Sequence, residues 1–294
     1  MSSQSTNARK NSFFHAARGD SPFKRIMIHF VLIIACVITL YPVLRIFTIS
    51  IRPGNQLLST DLSIIPAGAT LDSYKAVLTE KPLLNWLWNS FAITSATSLI
   101  GVMIAMTSAY AFSRYKFPGR SFGLVFLLTT QMIPAAMLMV PIYILAIRLG
   151  LTGTYRGLVL AYAVTSVPFS IWILKGYFDT IPIDLEEAAR IDGCSEIQSF
   201  TKILLPLSTP ALAIAFLFNF TQAWNEYLMA RVMLGSQEVL LTWPLGIQRL
   251  QAQFTSLWGQ FSAASIIVAI PVMLLFLYTS KYLISGLTLG SVKG

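Results

Sequence analysis

Charge is what this sequence has least of. Twelve of its 294 residues are acidic and only 11% are charged, where soluble domains carry about 25%. That scarcity excludes an ordinary water-exposed globule. Cysteine is equally sparse. Cys36 lies in an apolar run and Cys194 in a polar stretch, so neither a disulfide nor a thiolate metal framework follows. The two histidines, His15 and His29, have no metal-ligand neighbour in sequence. No Gly-Lys pair occurs anywhere, which rules out a phosphate-cradling P-loop. His-Glu-x-x-His is also missing, and an integral membrane enzyme has no recognisable site. Any ATP that drives this protein is hydrolysed by another subunit.

What the chain has in abundance is apolar sequence, 55% of its residues, gathered in blocks long enough to cross a bilayer. Six such runs, at about 26–49, 86–112, 122–147, 157–177, 203–227 and 261–284, predict an all-α polytopic membrane protein of six transmembrane helices. The first is too long for a signal peptide and reads as an uncleaved span. Arg45, near its outer end, is placed to snorkel. Residues 1–23 form a polar basic tail, and 24–84 comprise the first span and an external loop. Residues 85–281 comprise the remaining spans, and 282–294 a terminal tail. Pro134, Pro141, Pro168 and Pro271 fall inside spans and predict kinks. In the second span Thr97, Gly101, Ala105 and Ala109 make a small-residue stripe for close helix packing. The net charge of +9 is topological rather than a nucleic-acid signal. The tails with the adjoining Lys24, Arg25 and Lys281, and the loops at 113–120 and 175–202, carry thirteen Lys and Arg, against seven in the other three loops. The positive-inside rule makes both termini and the 175–202 loop cytoplasmic.

Ionisable groups inside the spans are few, and the main one is Glu226. Asn219, Gln222 and Glu226 lie at i, i+3 and i+7, so one face of the fifth span is polar, with Asn225 beside it. Such a face is either interhelical glue or the wall of a translocation path. A self-contained secondary transporter is the alternative architecture, but it wants core carboxylates and internal repeats, and neither is evident.

Six acidic residues fall between Asp179 and Glu196, a polar island between apolar runs. Asp184 reads as an N-cap with Glu187 three residues on. Leu185, Ala188, Ala189 and Asp192 share one helical face. Gly193 suits a left-handed stop, and Ser195 with Gln198 opens a second short helix. The expected outcome is a bent helix pair whose exposed face carries both alanines.

Glu187-Ala188-Ala189, then Gly193, then after nine residues Ile203-Leu204-Leu205-Pro206, resembles the EAA loop of ABC-importer permeases at every signature position. The likeness extends from 86 to about 281 and implies the type-1 permease fold. Trp88-Asn89-Ser90, the stretch from Ala109 to Arg114, Lys175 to Phe178, and Leu205-Pro206-Leu207-Ser208 resemble the carbohydrate branch. The tail from Gly286 to Gly294 resembles that of maltose/maltodextrin permeases. Trp224-Asn225-Glu226-Tyr227 departs from that branch toward sugar permeases at large, and Cys194 stands where alanine is usual. The resemblance implies that Leu185, Glu187, Ala188, Ala189, Asp192, Gly193, Ile203, Leu205 and Pro206 form the coupling helix and its flank, docking on an ATPase. It implies that Gly290, Val292, Lys293 and Gly294 reach the ATPase interface, and that residues 228–258 enter a binding protein. Implied partners are a second permease subunit, an ATPase homodimer holding ATP and magnesium, and an extracytoplasmic sugar-binding protein. This chain binds no cofactor of its own. The implied location is a bacterial or archaeal cytoplasmic membrane, and the implied cargo a maltodextrin-type sugar.

Overall fold

A computed structural model describes residues 21–55, 63–235, 237–251 and 257–289. The expectations for the N-terminal tail up to residue 20 and for Gly290, Val292, Lys293 and Gly294 therefore lie outside the described residues. In chain order the helices are α1 (Pro22–Ser50), α2 (Asp72–Thr79), α3 (Leu83–Arg114), α4 (Arg120–Gln131), α5 (Ala135–Arg148), α6 (Tyr155–Phe178) and α7 (Asp184–Ile191). There follow α8 (Glu196–Ser199), α9 (Leu205–Leu207), α10 (Thr209–Trp224), α11 (Leu228–Leu234), α12 (Trp243–Gln248) and α13 (Trp258–Leu289). Among the described residues the regular structure is entirely helical.

Four helices, α1, α3, α6 and α13, are long and apolar enough to cross a membrane by themselves. The third and fifth expected spans are not continuous. The third is α4 plus α5, bent by 103°; the fifth is the segment Glu196–Leu207 plus α10, bent by 76°. Counting each bent pair as one span gives six. The correction has a local cause in each case. Pro134 takes ψ 130°, outside the helical region, and has no N–H with which to continue the α4 ladder, so the chain leaves the helix instead of kinking within it. In the fifth, Pro206 and Pro210 flank Ser208, whose amide donates to the carbonyls of Leu204 and Leu205. A π-helical turn over Phe200–Leu204 precedes the break.

The bundle is built on α3 against α6, with α10 packed on both. Lipid supplies no hydrophobic drive between helices, so close approach depends on small side chains. Thr97, Gly101, Ala105 and Ala109 are all buried along α3. At Gly101 an added Cβ would sit 2.9 Å from Asn219 Nδ2, so this glycine admits α10. By contrast α1 buries only Thr48 and Ser50; its apolar surface suits a lipid environment.

Two apolar clusters result. One includes Leu83, Trp86, Leu158, Met233 and Leu245; the other includes Ala105, Leu174, Phe178, Leu204 and Ala215. Along α3, α6 and α10 the buried polar residues Thr97, Ser98, Ser166, Ser170 and Asn219 fall between them. The segment after α10 is not a loose loop. Asn89 Nδ2 donates to the carbonyls of Val239 (2.8 Å) and Leu241 (3.0 Å), and Ser90 Oγ accepts from Trp243 N (2.8 Å). Gly246 rests on the Trp86 ring so closely that a Cβ would lie 2.0 Å from it.

Candidate functional site: a capped loop helix and a polar cavity

The acidic stretch folds as α7. Its N-cap is Ile183, with no side-chain cap bond, which corrects the expectation for Asp184. That residue sits one position inside, where Asp184, Glu186 and Glu187 complement the positive end of the helix. The C-terminal stop is as expected. Gly193 has φ +86°; its amide donates to Arg190 O (3.0 Å) and the Cys194 amide to Ala189 O (2.9 Å). Those two bonds are a Schellman closure. Ser195 then starts α8 with a reciprocal capping box: Ser195 N donates to Gln198 Oε1 (2.9 Å), and Gln198 N to Ser195 Oγ (3.3 Å).

The expected two-alanine outer face needs correcting. Ala188 is exposed, but Ala189 is 5% exposed and packs inward. The reason is Glu186, three residues earlier on the same face, which is 2% exposed. Arg114 Nε donates to Glu186 Oε1 at 2.6 Å, and Tyr110 OH to Glu186 Oε2 at 3.2 Å. This inward pair turns Leu185, Glu187, Ala188 and Asp192 outward. Apolar side chains that sequence reasoning passed over join them there: Ile183, Ile191 and Ile197 are all exposed, Ile191 to 87%. In the downstream signature Ile203 and Leu205 are half-buried and Pro206 exposed, while Leu204 is fully buried.

Arg114 and Glu186 were likewise missed. Only the basic character of the 114–120 turn was legible, and its partner lies 72 residues away. Nearby, Tyr115 OH donates to Glu196 Oε2 (2.8 Å), and that bond raises the Tyr115 phenol above its ordinary pKa. Arg190 approaches Glu196 at 3.6 Å.

The polar residues of the fifth span separate into two groups. Asn219, Gln222 and Glu226 border a cavity of about 80 Å³ that Tyr162, Thr165 and Ser166 also line. Asn219 is fully buried and accepts from Ser170 Oγ (2.8 Å); Gln222 is exposed. Asn225 lines a separate apolar groove between α10 and α13. Glu226 is not on the α10 face at all, because α10 ends at Trp224. Its carboxylate accepts from the amides of Met229 (2.7 Å) and Ala230 (3.0 Å) at the start of α11, and from Tyr162 OH (3.0 Å). The i+7 spacing was therefore right about the side of the bundle and wrong about the element. Tyr162, Ser166 and Ser170, spaced by four along α6, were the available signal for the facing wall.

A bundle of broken, membrane-length helices with polar groups buried at its centre, and a rigidly capped loop helix showing apolar side chains, defines a membrane permease that works with other subunits. Residues 80–286 match the model of the binding-protein-dependent transport system inner membrane component family, and the chain belongs to that family. It is a non-catalytic permease subunit of an ABC importer. The maltose/maltodextrin transport system permease protein MalG of Salmonella typhimurium is 36% identical over 285 residues, covering 90% of this chain and 95% of that one. The maltodextrin transport system permease protein MdxG of Bacillus subtilis is 34% identical over 275 residues, covering 92% and 96%. The crystal structure of a bacterial ABC transporter involved in the import of the acidic polysaccharide alginate superposes with a TM-score of 0.78 at 25% identity, covering 89% of this chain and 96% of that one. Family membership decides against the self-contained secondary transporter.

Proposed function

We propose that this chain is one of two permease subunits of a bacterial sugar importer, taking maltodextrin-type oligosaccharides across the cytoplasmic membrane. It would pair with a second permease, an ATPase homodimer and an extracytoplasmic sugar-binding protein. Support for the cargo is the similarity over nine-tenths of the chain to permeases named for maltose and maltodextrin. The observation that carries the coupling is α7 itself, held rigid at its C-terminal stop and at the Glu186–Arg114 pair, with apolar side chains outward. A helix so held transmits force instead of fraying, and its outward face is fit to fill an ATPase groove. Closure of the ATPase dimer on ATP moves α7, the spans switch from inward-open to outward-open, and the binding protein delivers sugar. The two conformations form one equilibrium biased from both ends.

In this reading both termini and α7 are cytoplasmic, and residues 290–294 enter the ATPase interface. Residues 85–281 would act as the permease unit. The segment after α10 meets the binding protein. Gln222 and Glu226 wall the path, the buried Asn219 bonds that wall to α6, and Asn225 faces the neighbouring groove toward α13. The test is uptake into proteoliposomes holding the whole complex and its binding protein. Maltodextrin uptake that needs ATP and the binding protein is expected. ATP-driven uptake of a different sugar, with none of maltodextrin, would overturn the cargo.

A further inference from the structure

The stretch from Ala109 to Arg114, the last turn and a half of α3, belongs neither to the outward face of α7 nor to the cavity wall. We propose that this end of α3, through the buried Arg114–Glu186 pair, is the strut that carries coupling-helix motion into the bundle. The inference rests on the coupling role of α7.

Three observations support it. The pair is enclosed, with side-chain exposures of 7% for Arg114 and 2% for Glu186. Sliding α7 against α3 would pull these desolvated charges apart, and a buried charge without its partner is strongly disfavoured. The remaining bonds spread the grip over the whole loop. Ser113 Oγ donates to Asp179 Oδ1 (2.7 Å) at its start, Arg114 Nη2 to Ile181 O (3.2 Å), and the Tyr110 ring lies 4.7 Å from that of Phe200 at its end.

The routes along the chain are weaker. Toward α10 the chain passes a π-helical turn and the 76° break at Ser208; toward α6 it passes the non-helical segment at 179–183. Packed helices move as bodies, whereas such breaks absorb rotation. At its other end the strut meets the polar layer: Gly101, on the same small-residue stripe, lies against Asn219. Displacement of α7 thus reaches the cavity wall through α3.

The experiment uses the complete importer in proteoliposomes and reads ATP turnover and sugar uptake together. Glu186→Gln should keep ATPase association and stimulated turnover while uptake per ATP falls roughly fivefold or more, within the usual range of coupling factors. Unchanged uptake per ATP in an assembled complex overturns the strut. Where that variant does not assemble, a cross-link decides. Cysteines at Ser113 and Asp179, with Cys36 and Cys194 replaced, would tie α3 to the loop by a disulfide. Retained transport in the oxidised form supports a rigid strut; transport lost on oxidation and restored by reduction overturns it. Ile191→Asp, on the outward face, separates the two readings. Its loss of ATPase association keeps the coupling role, and wild-type association and turnover would remove that role whatever Glu186 does.

Discussion

Glycines at single positions set two of the constraints in this fold, for opposite reasons. At Gly193 an added Cβ meets nothing within 4 Å, but φ is +86°. The cost of a side chain there is conformational, about 1 kcal/mol or more, and it falls on the Schellman stop of α7. Gly193→Ala is expected to leave membrane insertion unchanged and weaken ATPase association by roughly fivefold, the equivalent of that strain. Titration of the purified ATPase against detergent-solubilised permease measures it, and wild-type affinity would remove α7 from the docking surface. At Gly246 the backbone is ordinary, but a Cβ would lie 2.0 Å from the Trp86 ring. Overpacking of this kind costs about 1–3 kcal/mol. Gly246→Ala should lower the melting temperature of the complex, while Gly176→Ala, in α6 with open space around it, should leave it unchanged or raise it. Equal effects in a thermal-shift comparison would refute the contact.

At the scale of elements, the glue and wall roles of the polar face fall on different residues of α10. Asn219 is fully buried and bonded to Ser170 on α6, so Asn219→Ala should lower stability by about 0.6 kcal/mol, the mean of such interhelical bonds. Gln222 is exposed beside the cavity. Gln222→Ala should leave stability unchanged and alter uptake, as read by unfolding in detergent alongside transport. The reverse assignment would sink the division. Helical period announced the shared face of Asn219 and Gln222, because both sit within one continuous helix. It misplaced Glu226 because periodicity cannot see that the helix stops at Trp224. Nor could the prolines say whether a span bends gently or turns by 103°, since the same residue allows both. The C-terminal stop of α7 was legible because it depends on neighbours in sequence. The Arg114–Glu186 pair was not, because its partners meet only after the bundle has formed.

Across the whole molecule, electrostatics predicts an orientation, independently of any contact. Basic residues flanking a span resist translocation, and the rule counts them in short loops. The two tails with the adjoining Lys24, Arg25 and Lys281, and the loops at 113–120 and 175–202, hold thirteen of the twenty-one Lys and Arg, and the strut contacts place those two loops together at one end of the bundle. The end of the bundle bearing α12 carries fewer, over longer segments. If that end faces outward, an exposed position there must react with a reagent that cannot cross the membrane, and an exposed position on α8 must not. Val239 is 81% exposed and Ile197 75%, so each supplies an accessible site. In a background without Cys36 and Cys194, Val239→Cys should be labelled by an impermeant maleimide on intact spheroplasts. Ile197→Cys should be labelled only after permeabilisation, and less so with the ATPase bound, because the docking surface would then be covered. Labelling of Ile197→Cys from outside would invert the molecule and remove the ATPase from reach of α7.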